Sequence, residues 1–339
     1  MQIEIKERAP LLDAKGHLIQ PGYAKQPYFQ YQRNAIKAPS WRIKEWDYYA
    51  VLNHQVGCSL TIADLSYSAL LSIVFFDFQN KKFWKKTKLL WFTFGKLGLP
   101  STSLEGDVGY EDQDISIRFV RRKDERVLTA WVKDFLPGKD LFCEFQVQDM
   151  KDESLVIATP WNKKPKAFYY NQKINCMPTK GSVHIGQEAF VFDPKESVTV
   201  LDWGRGVWTY KNTWYWSNAQ GYVNGKRFGF NFGYGFGNTQ NATENMLFYD
   251  GKAHKLEDVF FDYDPGDYLK PWTFSSPDGR VQLTMTPILD RQDDINFIII
   301  KNLGHQVFGT ISGTVILDDH TELQVNQIMG FAEVITNHY

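Results

Sequence analysis

Apolar and polar residues alternate with a period of two along almost the whole chain, and no long stretch shows the 3.6-residue apolar spacing of a surface helix. A chain patterned this way buries apolar surface by making sheets, because residues i, i+2 and i+4 share one face of a strand. In Leu141–Val147 the odd positions are all apolar and two of the three even ones polar, the signature of a sheet with one wet face. Ile115, Ile117 and Phe119 alternate with Ser116 and Arg118 in the same way. Val281–Thr286 repeats the pattern, and in Val307–Leu317 the residues Thr310, Ser312 and Thr314 share a face, so these two segments are expected as neighbours in a meander. Turn chemistry separates the runs at Pro137-Gly138, Asn224-Gly225, Asp250-Gly251, Pro265-Gly266 and Asp278-Gly279, with Asn224-Gly225 the clearest hairpin. Many antiparallel strands must protect their edges, so the expectation is an all-β fold built as a barrel or a sandwich.

A length of 339 residues exceeds one ordinary core and implies two domains. Between Thr159 and Ser182 the strand signal thins while Pro160, Pro165, Pro178, Lys163, Lys164, Lys166 and Lys173 accumulate. An inter-domain connection is expected there, dividing the chain into residues 1–175 and 176–339. Pro10–Trp41, rich in Pro, Gly, Tyr and Gln, reads as an irregular arm lying across one domain.

Charge and motifs exclude several classes of function. Lys+Arg of 38 against Asp+Glu of 39 leaves no basic footprint for nucleic acid. Cys58, Cys143 and Cys176 have no CxxC spacing, so neither a disulfide framework nor a zinc site is expected, and Cys143 reads as a small core residue. There is no GxSxG elbow, no phosphate-binding loop and no HExxH, and the glycines of Gly229–Gly237 alternate too regularly for a dinucleotide fingerprint. No metal or cofactor is expected. Met1–Pro10 carries Glu4, Lys6, Glu7 and Arg8 where a secretory signal would be apolar, which points to the cytoplasm, and the longest apolar run, Leu65–Phe76, is too short to span a bilayer.

The candidate site begins in Asp202-Trp203-Gly204-Arg205-Gly206-Val207-Trp208, continues in Trp214-Tyr215-Trp216 and extends into Phe228–Phe236, where five aromatics alternate with three glycines and Asn231. One face of that last strand is bulky and the other nearly bare, which either relieves crowding in a core or lets a ligand approach, with Asn231 available to bond it. Asp202 shares parity with Val198 and Val200, so its carboxylate points to an apolar side and needs a partner. Arg205 in a glycine-flanked bend is the expected one. The pair is then either structural or a buried proton donor with its orienting cation. Glu333, on the parity of Leu323, Val325, Met329 and Phe331, and Glu244 and Asn245 of Thr243-Glu244-Asn245 are further polar candidates, subject to a bulge in the first case. Glu45, Trp46 and Asp47 lie in a segment, Trp41–Tyr49, that mixes charges with aromatics and so lines a cavity or forms an exposed edge. Lys81–Lys88 followed by Leu89-Leu90-Trp91-Phe92 is the one dense basic patch, read as a solvated hairpin tip or a peripheral membrane contact over residues 81–92.

Gly22-Tyr23-Ala24 with Pro27, the block Lys44–Tyr49, the bend Asp202–Gly206 and Thr243-Glu244-Asn245 together resemble the bacterial domain of unknown function DUF2804 over nearly the whole chain. That family is in turn distantly similar to carotenoid hydratase and AttH-like proteins. The resemblance implies two consecutive lipocalin-like, calycin-type antiparallel barrels or strongly curved sandwiches, and an apolar ligand at or between them. The implied chemistry is cofactor-free acid catalysis, either hydration of a double bond or cyclisation of a polyene, as in a lyase or isomerase. The alternatives are a non-catalytic lipid carrier, which needs no perturbed acid, and a carbohydrate-binding or carbohydrate-processing protein using Trp214, Trp216, Asn218 and Asn231.

Overall fold

The computed structural model describes residues 2–297 and 300–338. The amino-terminal arm carries only the short strands β1 (Ala9–Pro10), β2 (Gly22–Ala24) and β3 (Phe29–Gln30) and two single-turn 3-10 segments. Four long strands follow, β4 (Ile43–Leu52), β5 (Val56–Asp64), β6 (Ser68–Asp77) and β7 (Lys82–Trp91). After them come β8 (Val108–Glu111), β9 (Ile115–Arg121), β10 (Glu125–Leu136), β11 (Lys139–Gln148), β12 (Leu155–Trp161), β13 (Lys164–Ile185), β14 (Glu188–Phe192) and β15 (Val198–Val207). Together with β2 these form one 13-stranded sheet whose main path is β7-β6-β5-β4-β15-β13-β11-β10-β9-β8, while β1 and β3 pair separately. The remaining strands are β16 (Lys211–Val223), β17 (Lys226–Tyr234), β18 (Met246–Tyr249), β19 (Lys252–Lys255), β20 (Phe260–Asp262), β21 (Trp272–Ser275), β22 (Val281–Phe297), β23 (Ile300–Ile316) and β24 (Glu322–His338). They make a nine-stranded sheet ordered β19-β18-β17-β16-β24-β23-β22-β21-β20. The fold is all-β, two consecutive curled antiparallel half-barrel sheets of lipocalin-like form.

Local chemistry explains the elements. Along β11 burial alternates residue by residue, with Leu141, Cys143, Phe145 and Val147 inside. The β16–β17 hairpin turns on Asn224 and Gly225, both at positive φ (51° and 72°), as a two-residue type I′ loop requires. β22 and β23 pair directly, with Thr310 opposite Thr286 and Ser312 opposite Thr284.

The apolar interior is divided by the sheets. One core fills the concave side of the first sheet and includes Trp203, Phe145 and Phe168, and another fills the second barrel with Phe228, Phe230, Phe232 and Phe274. A further core lies between the sheets, where Ala50, Leu52, Val74, Phe76 and Val200 meet Trp216, Phe308, Met329 and Phe331, with the Phe76 and Phe308 rings 4.3 Å apart.

Two expectations are corrected. The stretch read as a connection is strand: β13 runs through it, pairing first with β12 and β15 and then, past an irregularity at Ile174–Met177 where Cys176 has φ +58°, with β11 and β14. Its alternation is hidden because both faces are buried and one of them meets polar groups. The first sheet therefore continues to Val207. The parity shared by Glu333 and Leu323 also breaks, because the β23–β24 ladder slips between Ile311 and Gly313 and Gln327 sits at φ +49°. Leu323 and Val325 consequently fill the second barrel, while Met329, Phe331 and Glu333 face the first sheet.

Candidate functional site

The inter-sheet core opens at one end into a cavity of about 330 Å³. Strand register builds its walls as two facing rows. In the first sheet Thr87, Ser72, Thr61, Tyr48, Asp202 and Lys173 are successive cross-strand partners. In the second sheet Arg291, Gln306, Glu333 and Trp216 are partners in the same sense. All ten line the cavity, so the rows make a polar stripe along it. The rows touch where Gln306 Nε2 donates to Tyr48 Oη (3.3 Å) and where Lys173 Nζ lies 3.9 Å from the Trp216 ring centroid. The neighbouring row is apolar, with Leu70, Ala63 and Trp46 on one sheet and Ile335 and Trp214 on the other, and Trp208, Tyr169 and Phe236 close it.

Charges are graded along this cavity. Asp202 accepts from Lys173 Nζ (2.9 Å) and Asn171 Nδ2 (2.5 Å) at the buried end. Glu333 accepts from Trp214 Nε1 (3.1 Å), and Glu244 faces the Tyr169 hydroxyl at 3.5 Å. One ammonium therefore stands among three carboxyl groups. Burial pushes the carboxyls of both Glu244 and Glu333 up to about 7, and the Asp202 charge adds to it, while Lys173 opposes it in each case. At the other end Lys85 and Arg291 both bind Asp293, Arg291 at 2.9 Å, tying β7 of one sheet to β22 of the other.

Two small residues make this arrangement fit. A Cβ on Gly204 would overlap the Trp46 indole, so the glycine is what lets Trp46 lie across β15. A Cβ on Gly233 would press on Glu244 at 3.3 Å. The bare face of β17 thus admits groups of the protein itself: Glu244 packs on Gly233, and Cys176 Sγ packs on Gly229, where a Cβ would approach it to 2.6 Å. Asn231, fully buried, accepts from Trp216 Nε1 (2.7 Å) and donates to the Glu244 carbonyl (2.7 Å), so it positions two cavity residues. Asn245 accepts from Gly233 N and donates to Glu257 O, holding the loop that carries Glu244.

The expected Asp202–Arg205 pair does not form. β15 stays extended through Gly204 and Gly206, and residues three apart then point to opposite faces. Arg205 is buried inside the first sheet, where its guanidinium binds Asp47 (2.9 Å) and the Trp46 and Pro100 carbonyls and stacks 4.0 Å from the Trp203 ring. Glu45 belongs to the same network, accepting from Tyr31 Oη (2.8 Å) and from Arg33. Trp203, Arg205, Glu45 and Asp47 therefore sit behind the cavity wall, whereas Trp46, Asp202, Trp208, Trp214, Trp216, Glu244 and Glu333 line it. Sequence reasoning did not single out Tyr169, Lys173, Tyr48, Arg291 or Gln306. The alternation Tyr169, Asn171, Lys173 was available in the sequence but was hidden by the flanking prolines and lysines. Among the described residues no group of three or more His, Cys, Asp or Glu is arranged to hold a metal ion, and no helix is long and apolar enough to cross a membrane.

Fold and site together define a two-sheet lipocalin-like protein with an acid-bearing aromatic cavity between its sheets. The same architecture occurs in kievitone hydratase from Nectria haematococca (TM-score 0.52, 11% identity, 86% of this chain and 88% of that one). It occurs also in an AttH-like protein of Nitrosomonas europaea (TM-score 0.52, 12% identity, 90% of this chain and 95% of that one). The chain belongs to the family described as domain of unknown function DUF2804, whose model matches residues 2–339. No curated protein matches it in sequence.

Proposed function

We propose that this protein binds an elongated, mostly apolar and unsaturated small molecule between its sheets and starts a reaction on it by proton transfer, as in hydration or cyclisation of a double bond. The observation that carries this reading is the pair Glu244 and Glu333, two buried carboxyl groups held near neutrality in one aromatic-walled cavity. One, protonated, donates to an alkene carbon. The tryptophan faces stabilise the cation left on the adjacent carbon. In hydration water bonds to that cationic carbon and gives its proton to the other carboxyl, which is ionised. In cyclisation a second double bond of the ligand bonds to it, and the carbon next to the new cation gives up the proton instead. Proton transfer between the two carboxyls and solvent restores the starting state. Asp202, engaged by Lys173, is a positioning residue here rather than the donor. The polar stripe beside the apolar row suits a ligand with oxygen functions along one edge. A hydratase among proteins of like fold agrees with the reading. The sugar reading is less favoured, since Trp214 and Trp216 line the cavity but Asn218 and Asn231, the amides meant for sugar hydroxyls, are fully buried outside its lining.

The test is native mass spectrometry with organic extraction of protein from its own host, followed by turnover of the recovered class of compound in 18O-labelled water. Glu333→Gln and Glu244→Gln are expected to stop product formation while tryptophan quenching still reports binding. Full turnover in both variants overturns the roles given to Glu333 and Glu244, binding without turnover in the parent leaves a carrier, and capture of glycans instead of apolar compounds overturns the reading.

A further inference from the structure

β7 ends in a feature the cavity does not use. Leu89, Trp91, Phe92 and Phe94 are 41%, 60%, 66% and 42% exposed, and the rings of Phe92 and Phe94 stack at 6.4 Å. Phe92 and Phe94 both occupy left-handed backbone, at φ 59° and 49°, which bulky side chains rarely adopt. The conformation is imposed from beneath by the fully buried Asp64. Its carboxylate accepts from Ser66 N (2.9 Å), Thr93 Oγ1 (2.9 Å) and Gly95 N (2.8 Å), while Phe92 N and Phe94 N donate to the Tyr67 and Ser66 carbonyls. A rigid loop thus turns Thr93 inward and two phenyl rings outward, a display that core packing does not require.

The surroundings say what meets it. Residues 78–104 contain six lysines and no aspartate or glutamate, in a chain whose net charge is −1. Lys85 and Lys88 are held by Asp293 and by Asp112 and Asp114, whereas Lys86 on β7 and Lys96 just past the rim are exposed, as are Lys81 and Lys82 at the far end of β7, about 30 Å along the strand. The patch is also continuous with the cavity: Leu89 pairs with Leu70, which pairs with Ala63 and then Trp46, the apolar row of the wall. We infer that the rim Leu89–Phe94 inserts into the surface of an anionic bilayer, with Lys86 and Lys96 on the headgroups. The rim then sits at the threshold over which an apolar ligand passes. Vesicle binding is independent of the proposed function, and only passage of the ligand rests on it.

The full chain is mixed with phosphatidylcholine vesicles with and without phosphatidylglycerol and separated by flotation. Binding is expected only with the anionic lipid, weakening as salt rises, with quenching of tryptophan by brominated acyl chains. In Phe92→Gly/Phe94→Gly the glycines suit the left-handed backbone, so Tm should be held or raised while vesicle affinity falls at least ~tenfold. Lys86→Glu/Lys96→Glu should lose the anionic preference. Absence of flotation, unchanged affinity in the glycine variant, or a dimer in light scattering that the glycine variant abolishes would each overturn the inference. If vesicles bind but no apolar compound is ever extracted, the rim stands and the cavity reading falls.

Discussion

Glu244 and Glu333 show how single residues make this fold carry a cost. Each carboxyl rises from 4.5 to about 7 on burial, so the folded protein favours the neutral form. The associated stability is intact below the unfolded value and is lost as pH rises through about 7, by about 3 kcal/mol for each group when fully ionised. Glu333→Gln should therefore match the parent near pH 4.5 and become the more stable of the two by pH 8, a difference that denaturant unfolding across that range reads directly. Asp202 is one half of a buried ion pair with Lys173. Asp202→Asn leaves an ammonium without its counter-ion and should cost about 3–5 kcal/mol, while Asp202→Asn/Lys173→Met should recover part of it. Gly204→Ala drives a methyl into the Trp46 indole and should cost about 3 kcal/mol while displacing that cavity wall, visible as altered tryptophan emission.

At the scale of elements, register decides what parity can only suggest. Asp202 was readable because β15 has no irregularity between Val198 and Val207 along β4, so Val200 and Asp202 share the face toward the second sheet. Arg205 was misplaced by treating Gly204 and Gly206 as a bend, although glycine in a strand equally marks a close crossing, here Trp46 over β15. Glu333 was placed on the right wall by a count that the bulge at Gln327 invalidates for Leu323 and Val325. β13 was invisible because a strand buried on both faces, one of them against Asp202 and Glu244, does not alternate between apolar and polar. The all-β class and the hairpins were legible because turn residues and one-sided strands leave local signals, whereas a cavity assembled from the register of many strands does not. The bulge is testable: Gln327→Gly relieves φ +49° and should be neutral or stabilising by about 0.5–1 kcal/mol. Deletion of Gln327 should turn Glu333 into the barrel interior and abolish ligand binding, measured by tryptophan quenching.

For the whole molecule, the consequence of placing the cavity between the sheets is that neither sheet owns it. Lys173 and Asp202 come from the first, Glu333 and Trp216 from the second and Glu244 from the loop between its strands β17 and β18, and the contact that sets their spacing is the apolar core around Phe76 and Phe308. Phe308 does not line the cavity, yet Phe308→Ala removes a ring that holds β23 against β6 and should cost about 3–5 kcal/mol. Phe274→Ala, buried inside the second barrel, should cost a comparable amount without touching the seam. If alignment of the two sheets creates the site, Phe308→Ala weakens ligand binding and Phe274→Ala does not, at matched loss of stability and at a temperature where both remain folded. Equal affinities in the two variants would mean that one sheet alone builds the binding surface, and the placement of the Lys173–Asp202 pair near the Glu244 and Glu333 carboxyls would then be incidental to it.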